Sequence, residues 1–228
     1  MIVEVCCSTV EEARLAARCG ADRIELVSAL EIGGLTPSLG ELRLALGSAK
    51  QAGVGSAVML RPRGGDFCYG GDDLETMALD GRILRDEGAD CIVFGILKPD
   101  GVVDAERCKA LMKECGDGAG FVFHMAFDKT PDWRNALDTL IELGFRRVLS
   151  KGQAASAEAG AGTLRDMITY AGSRIEILPG GGIRAGNVQT IIKQTGCGQI
   201  HFSLKKGGQE ILGERELKDF INLCRRVE

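Results

Sequence analysis

Met1-Ile2-Val3-Glu4-Val5-Cys6-Cys7-Ser8-Thr9 separates a closed parallel barrel from an open doubly wound sheet. It is an apolar strand pattern that passes through a turn into an amphipathic helix. A doubly wound open sheet usually carries Gly-x-Gly-x-x-Gly at this first strand-to-helix turn, and Cys6-Cys7-Ser8-Thr9 does not supply it. The same unit then repeats along the chain. Strands are expected near 2–6, 22–27, 56–61, 90–95, 120–125, 146–150, 175–179 and 199–203. Helices are expected near 9–19, 38–52, 73–87, 104–115, 132–143, 156–172, 185–195 and 214–226. Gly20-Ala21-Asp22, Gly88-Ala89-Asp90 and Gly144-Phe145-Arg146 each end a helix on glycine and enter a strand, as left-handed capping predicts. Strict alternation argues for a parallel sheet, and eight units argue for closure, so the expected fold is a single (β/α)8 TIM barrel. No linker, charge block or low-complexity tract divides the chain, so one domain over residues 1–228 is expected. Ala154 to Gly162 reads as a loop running into a helix, and Lys205-Lys206-Gly207-Gly208-Gln209 as a loop after the last strand.

The composition is that of an ordinary globular chain, with 45% apolar and 26% charged residues. A net charge of −4 offers no basic footprint for nucleic acid. No apolar run reaches the roughly 18 residues that span a bilayer. The chain opens directly into a strand without a basic region or cleavage signal, which predicts a cytoplasmic protein with no membrane partner. Nine cysteines (6, 7, 19, 68, 91, 108, 115, 197 and 224) are then expected as thiols, mostly small apolar fillers. No Cys-x-x-Cys pair occurs, and Cys6 and Cys7 should face opposite sides of their strand.

In a barrel of this kind chemistry gathers at the carboxyl ends of the strands. Inward polar residues there are Glu4 and Cys6 from strand one, Glu25 from strand two, Arg61 from strand three and His124 from strand five, with His201 and Ser203 from strand eight. Both histidines of the chain lie in expected strands. Burying each charge separately is expensive, so Glu4, Glu25, Arg61, His124 and His201 are expected to share one pocket as a catalytic set. The histidines can move protons near neutral pH, and Glu4 or Glu25 can orient them or act as base. Arg61 suits a carboxylate, a phosphate or an enolate oxygen. Such a set fits proton abstraction beside a carbonyl, hence a lyase or isomerase acting on a sugar-like or keto-sugar substrate. A divalent metal held by Glu and His is also open, and no nucleotide cofactor is expected.

Two further stretches bear on a small-molecule site. Pro179-Gly180-Gly181-Gly182-Ile183-Arg184 leads into a helix, so Gly181 and Gly182 are candidate anion-binding residues; tight turns use glycine as well. Ser150 ends strand six, and Lys151 after it is either a Schiff-base lysine or a solvent-facing one. Arg61-Pro62-Arg63-Gly64-Gly65-Asp66-Phe67-Cys68-Tyr69 follows strand three and is richer in charge than a bland connection needs. Arg63 and Asp66 either bind substrate or order the loop by pairing with each other.

This last run, with Glu4-Val5-Cys6, Gly20-Ala21-Asp22-Arg23-Ile24-Glu25-Leu26 and Gly33-Gly34-Leu35-Thr36-Pro37-Ser38, resembles the CutC family. His124-Met125-Ala126-Phe127-Asp128, Arg147-Val148-Leu149-Ser150 and Pro179-Gly180-Gly181-Gly182-Ile183 extend the resemblance over about residues 2–203. It implies a role in copper homeostasis, copper(I) bound by thiolates, and a homodimer or larger homo-oligomer. Cys6 lies at the family's strand-one cysteine and is the implied metal ligand. Val27 stands where the family often has a second cysteine, which removes the natural inward partner for Cys6. Met125 takes a position that is usually arginine and, following an inward His124, is expected to point outward. Phe202-Ser203-Leu204-Lys205 replaces a smaller run that contains serine or cysteine.

Overall fold

The computed structural model describes residues 1–207 and 210–226. Its sheet consists of β1 (Ile2–Cys7), β2 (Arg23–Leu26), β3 (Gly55–Met59), β4 (Cys91–Phe94), β5 (Gly120–Phe123), β6 (Arg147–Ser150), β7 (Glu176–Pro179) and β8 (Gln199–Ser203). The helices are α1 (Val10–Arg18), α2 (Leu39–Gln51), α3 (Gly71–Asp86), α4 (Ala105–Cys115), α5 (Trp133–Leu143), α6 (Ala161–Ala171), α7 (Val188–Thr195) and α8 (Glu214–Arg225). Strand follows helix in strict alternation, and every ladder in the eight-stranded sheet is parallel. The expected TIM barrel is the observed fold.

Local chemistry sets the element ends. Thr9 caps α1 by accepting from the Glu12 N–H at 3.1 Å, and Ser38 forms a capping box with Glu41 on α2. Gly20, Gly88 and Gly144 leave their helices at φ +88°, +87° and +83°, a region that glycine enters without a steric penalty. Asp22 and Asp90 then fasten the strand starts, accepting from the Val3 N–H at 2.8 Å and the Ser56 N–H at 2.7 Å.

The sheet order runs β7-β6-β5-β4-β3-β2-β1-β8, so the backbone ladder stops at the β7/β8 seam. Side chains bridge the seam. The Gln199 amide donates to the Ile177 carbonyl and to Glu176 at 3.4 Å each, while Pro179 lacks an N–H for a ladder bond. The barrel is therefore nearly closed.

Two apolar regions flank the sheet. Between sheet and helices lies the main core, including Val3, Val5, Cys7, Ile24, Leu26 and Val58. Each fully buried aliphatic side chain there contributes roughly 1.5–3 kcal/mol. Inside the barrel a smaller group comprises Ala57, Met59, Cys91, Val93 and Val122 from β3–β5, with Cys6 of β1 and Val27 just past β2. Cys6 and Cys7 thus face opposite sides, as strand parity requires. All nine cysteines are free thiols, and eight are buried.

Several boundaries differ from the sequence expectation. β3 ends at Met59, because the Arg61 N–H donates to the Thr36 hydroxyl at 2.9 Å and Pro62 follows. β5 ends at Phe123, because His124 caps a 3-10 turn over Met125–Lys129. α6 starts at Ala161 after the alanine- and glycine-rich loop, and α7 starts only at Val188. Beyond β8, where a loop is expected, β9 (Lys205–Gly207) pairs antiparallel with β10 (Glu210–Ile211); Gly208 and Gln209 lie outside the described residues. No helix among the described residues is long and apolar enough to cross a membrane.

Candidate metal centre and barrel cavity

Register brings the polar side chains together. β1 pairs with β2 so that Cys6 sits beside Glu25, and with β8 so that Glu4 lies opposite His201 and Cys6 opposite Ser203. One ligand atom each from Cys6, Glu25 and His201 lies within 4.8 Å of the others, and all three residues are buried. They line a cavity of about 220 Å³ at the carboxyl ends of the strands, with Val27, Met59, His124, Met125, Gly181, Gly182, Arg184 and Ser203.

Behind these three residues a line of charge crosses the barrel interior. His201 Nδ1 lies 2.7 Å from Glu4 Oε1, while His201 Nε2 faces Glu25 Oε2 at 3.8 Å. Arg23 donates to the other Glu4 oxygen and, at 3.0 Å, to the Gln199 carbonyl oxygen. Gln199 reaches Glu176, which accepts from Arg147 Nε at 2.7 Å. Burial would raise the Glu4 carboxyl, but His201 and Arg23 outweigh it and hold its pKa at about 2. His201 is pushed up, because Glu25 and Glu4 together overcome the burial that disfavours its charge. Glu25 is raised by burial against the opposing charge of His201. The Cys6 thiol lies well above its ordinary range, first from burial and then from the Glu25 charge.

A histidine that gives Nδ1–H to a carboxylate presents Nε2 as a ligand of fixed tautomer. Cys6 supplies a soft sulfur and Glu25 an oxygen, so the trio can hold a transition-metal ion once the thiol is deprotonated. Glu4 does not reach the cavity; it stands behind His201 and orients it.

His124 and His201 line one cavity, as the sequence predicts, but their environments are opposite. His124 is 4% exposed, and burial, followed by the charge of Arg61, lowers its pKa to about 3. Arg61 does not join the pocket. Its guanidinium donates to the carbonyls of Ile32 (3.1 Å), Gly34 (3.2 Å) and Gly65 (3.0 Å), and lies over the Phe67 ring. It lies past the end of β3, where strand parity no longer directs side chains, and it staples the two loops that carry Leu30, Gly33 and Phe67 into the cavity wall.

Arg63 and Asp66 likewise face one another rather than the cavity. Arg63 binds Asp66 at 3.1 Å and Asp73 at 3.0 Å, and Asp66 also accepts from the Cys68 N–H. These contacts order the loop. Ser150 is fully buried and donates to Asp128 at 2.7 Å; Asp128 also accepts from the N–H groups of Lys151 and Gln153. Gly181 and Gly182 do line the cavity, yet α7 begins at Val188, so no helix end points at them. Lys151 packs against Gly181 and does not line the cavity.

Met125, expected outward, faces the cavity, because it belongs to the 3-10 turn and not to β5. Arg184 at the mouth and the line Arg23, Gln199, Glu176 and Arg147 were not singled out from sequence. Parity was the available signal for Arg23 and Gln199, each two residues before an expected inward group.

Fold and site together define a parallel eight-stranded barrel whose largely apolar cavity, at the carboxyl ends of the strands, carries Cys6, Glu25 and His201 in one cluster. The chain belongs to the CutC family, whose pattern matches residues 1–206. It is 44% identical over 204 residues to the human copper homeostasis protein cutC homolog, covering 90% of this chain and 73% of that protein. A family protein CutC of Treponema denticola is 48% identical over 208 residues, 91% of this chain and 83% of that one. The crystal structure of CutC from Streptococcus agalactiae superimposes with a TM-score of 0.85 at 34% identity, covering 89% of this chain and 98% of that chain. N-(5'-phosphoribosyl)anthranilate isomerase from Pyrococcus furiosus shares the fold alone, with a TM-score of 0.60 at 15% identity and all of both chains covered.

Proposed function

We propose that this protein binds copper(I) as cargo in the barrel cavity, with Cys6 as the anchoring ligand and His201 and Glu25 beside it. The observation that carries the reading is the convergence of these three donors within 4.8 Å, with Glu4 fixing the imidazole from behind. The human relative's name as a copper homeostasis protein supports it. Softness supports it too, since thiolate and imidazole suit copper(I), and the Met59 and Met125 thioethers border the same cavity. Val27 lies inward beside Cys6, so a two-thiolate site is replaced here by sulfur, nitrogen and oxygen. A reducing compartment such as the cytoplasm, where the nine cysteines stay thiols, suits this chemistry.

The lyase or isomerase reading needs Arg61 in the cavity as the oxyanion partner. Its two terminal nitrogens donate to loop carbonyls and the residue does not line the cavity, so that reading is not carried forward.

Competition titration against a cuprous chelator under reducing conditions tests the proposal. Cys6→Ala should weaken copper(I) binding at least tenfold, and Cys224→Ala, buried in α8, should leave it unchanged. Equal affinity in wild type and Cys6→Ala would remove the site.

A further inference from the structure

The cavity holds groups that a metal ion at Cys6, Glu25 and His201 does not use. Much of its wall is apolar, from Val27, Leu30, Met59, Phe67, Leu149 and Phe202. His124 is set into this wall. Its Nδ1 accepts from the Ala126 N–H at 3.2 Å, which leaves the proton of the neutral ring on Nε2. That Nε2 is buried and has no hydrogen-bond partner. The ring is held in place: a Cβ at Gly95 would meet its Cε1 and Nδ1 at 2.7 Å, and Phe67 lies 4.9 Å away between ring centroids. A buried donor left unpaired is destabilising, and a ligand oxygen would relieve that cost.

At the mouth, Arg184 is exposed and lines the same cavity. Its guanidinium donates to the Ile183 carbonyl at 2.7 Å, and no carboxylate pairs with it among the described residues. Glu25 lies on the buried floor. A ligand with one anionic end is therefore oriented, because the floor offers it no unpaired cation, Glu25 facing His201 there at 3.8 Å, while Arg184 above offers a guanidinium without a carboxylate partner among the described residues.

We propose that the cavity binds a small organic carboxylate whose apolar body carries an acceptor oxygen: the oxygen takes the His124 Nε2–H, the body fills the apolar wall, and the carboxylate meets Arg184. This site stands on His124 and Arg184 and does not depend on copper binding. No bond is made or broken in it.

Isothermal titration calorimetry on the full chain tests it, with phenylpyruvate as probe and phenylacetone as its uncharged counterpart. Wild type should bind phenylpyruvate saturably, with a Kd below about 1 mM. Arg184→Gln should weaken phenylpyruvate at least tenfold and leave phenylacetone unchanged. His124→Asn, which keeps an acceptor for the Ala126 N–H, should weaken both probes. If His124→Asn fails to fold by near-UV circular dichroism, the Arg184→Gln comparison decides alone. Absence of saturable phenylpyruvate binding by wild type overturns the proposal, as does equal affinity in wild type and Arg184→Gln. The copper(I) titration of Cys6→Ala reads the metal site separately, so failure of one site is distinguishable from failure of the other.

Discussion

Glu4 stands between two partners inside the barrel, with Arg23 on one oxygen and His201 on the other. Removing one member of a buried pair leaves the rest uncompensated, which typically costs 3–5 kcal/mol. Glu4→Ala should therefore lower the unfolding free energy by about 3–5 kcal/mol in urea titrations. The double variant Glu4→Ala with Arg23→Met should lose less than Glu4→Ala alone, since it removes the stranded charge as well. His124 makes the opposite case, a histidine kept neutral by burial and by Arg61. Its folded pKa of about 3 lies below an unfolded value near 6.5, so the unfolded chain binds more protons between these limits. The stability it contributes is fully present above about pH 6.5 and is lost as pH falls toward 3, at up to about 1.4 kcal/mol per pH unit. Urea midpoints from pH 7 to about pH 5 should fall more steeply for wild type than for His124→Asn. Parallel slopes would show that His124 titrates normally in the fold.

At the scale of elements, the strands position the metal ligands and the loops build the cavity wall. Arg61 is the fastening between the loop after β2 and the loop after β3, through three carbonyls and the Phe67 ring. Gly33 permits the approach, at φ +96° and with a Cβ that would stand 2.9 Å from Arg61 Nη1. Arg61→Met should leave the barrel folded but release both loops. Hydrogen exchange at residues 30–35 and 64–68 should accelerate at least tenfold, while exchange in β4 and β5 stays slow. Unchanged protection in the two loops would mean that the staple is not what holds them.

At the scale of the molecule, the barrel interior is divided. The β3–β5 half is apolar, and the β1, β2 and β6–β8 half carries the line from Glu25 to Arg147. That polar half meets the β7/β8 seam, where Gln199 rather than a backbone ladder joins the strands. Because the outer core runs continuously around the sheet, we expect residues 1–228 to behave as one domain and to unfold as one cooperative unit. Far-UV and near-UV circular dichroism melts should coincide, and a second calorimetric transition would contradict the single-unit expectation.

Periodicity alone made the eight units legible, because burial on both faces of a parallel sheet and on one face of each helix leaves a pattern that needs no partner to read. Strand parity likewise placed Glu4, Cys6, Glu25 and His201 inward, since alternation is a property of the backbone. The same rule misplaced Arg61 and Met125, which lie beyond the strand ends, where the direction of a side chain depends on which carbonyls and turns surround it. The sequence also marked Arg63 and Asp66 as a pair without deciding between substrate and loop; in the fold they bind each other, and the neighbouring Asp73 and the Cys68 backbone join them. Contacts formed only in the fold separate the two histidines, raising the pKa of His201 and lowering that of His124. The two imidazoles are chemically identical in the sequence, and the carboxylates of Glu4 and Glu25 reach one while the guanidinium of Arg61 stands near the other.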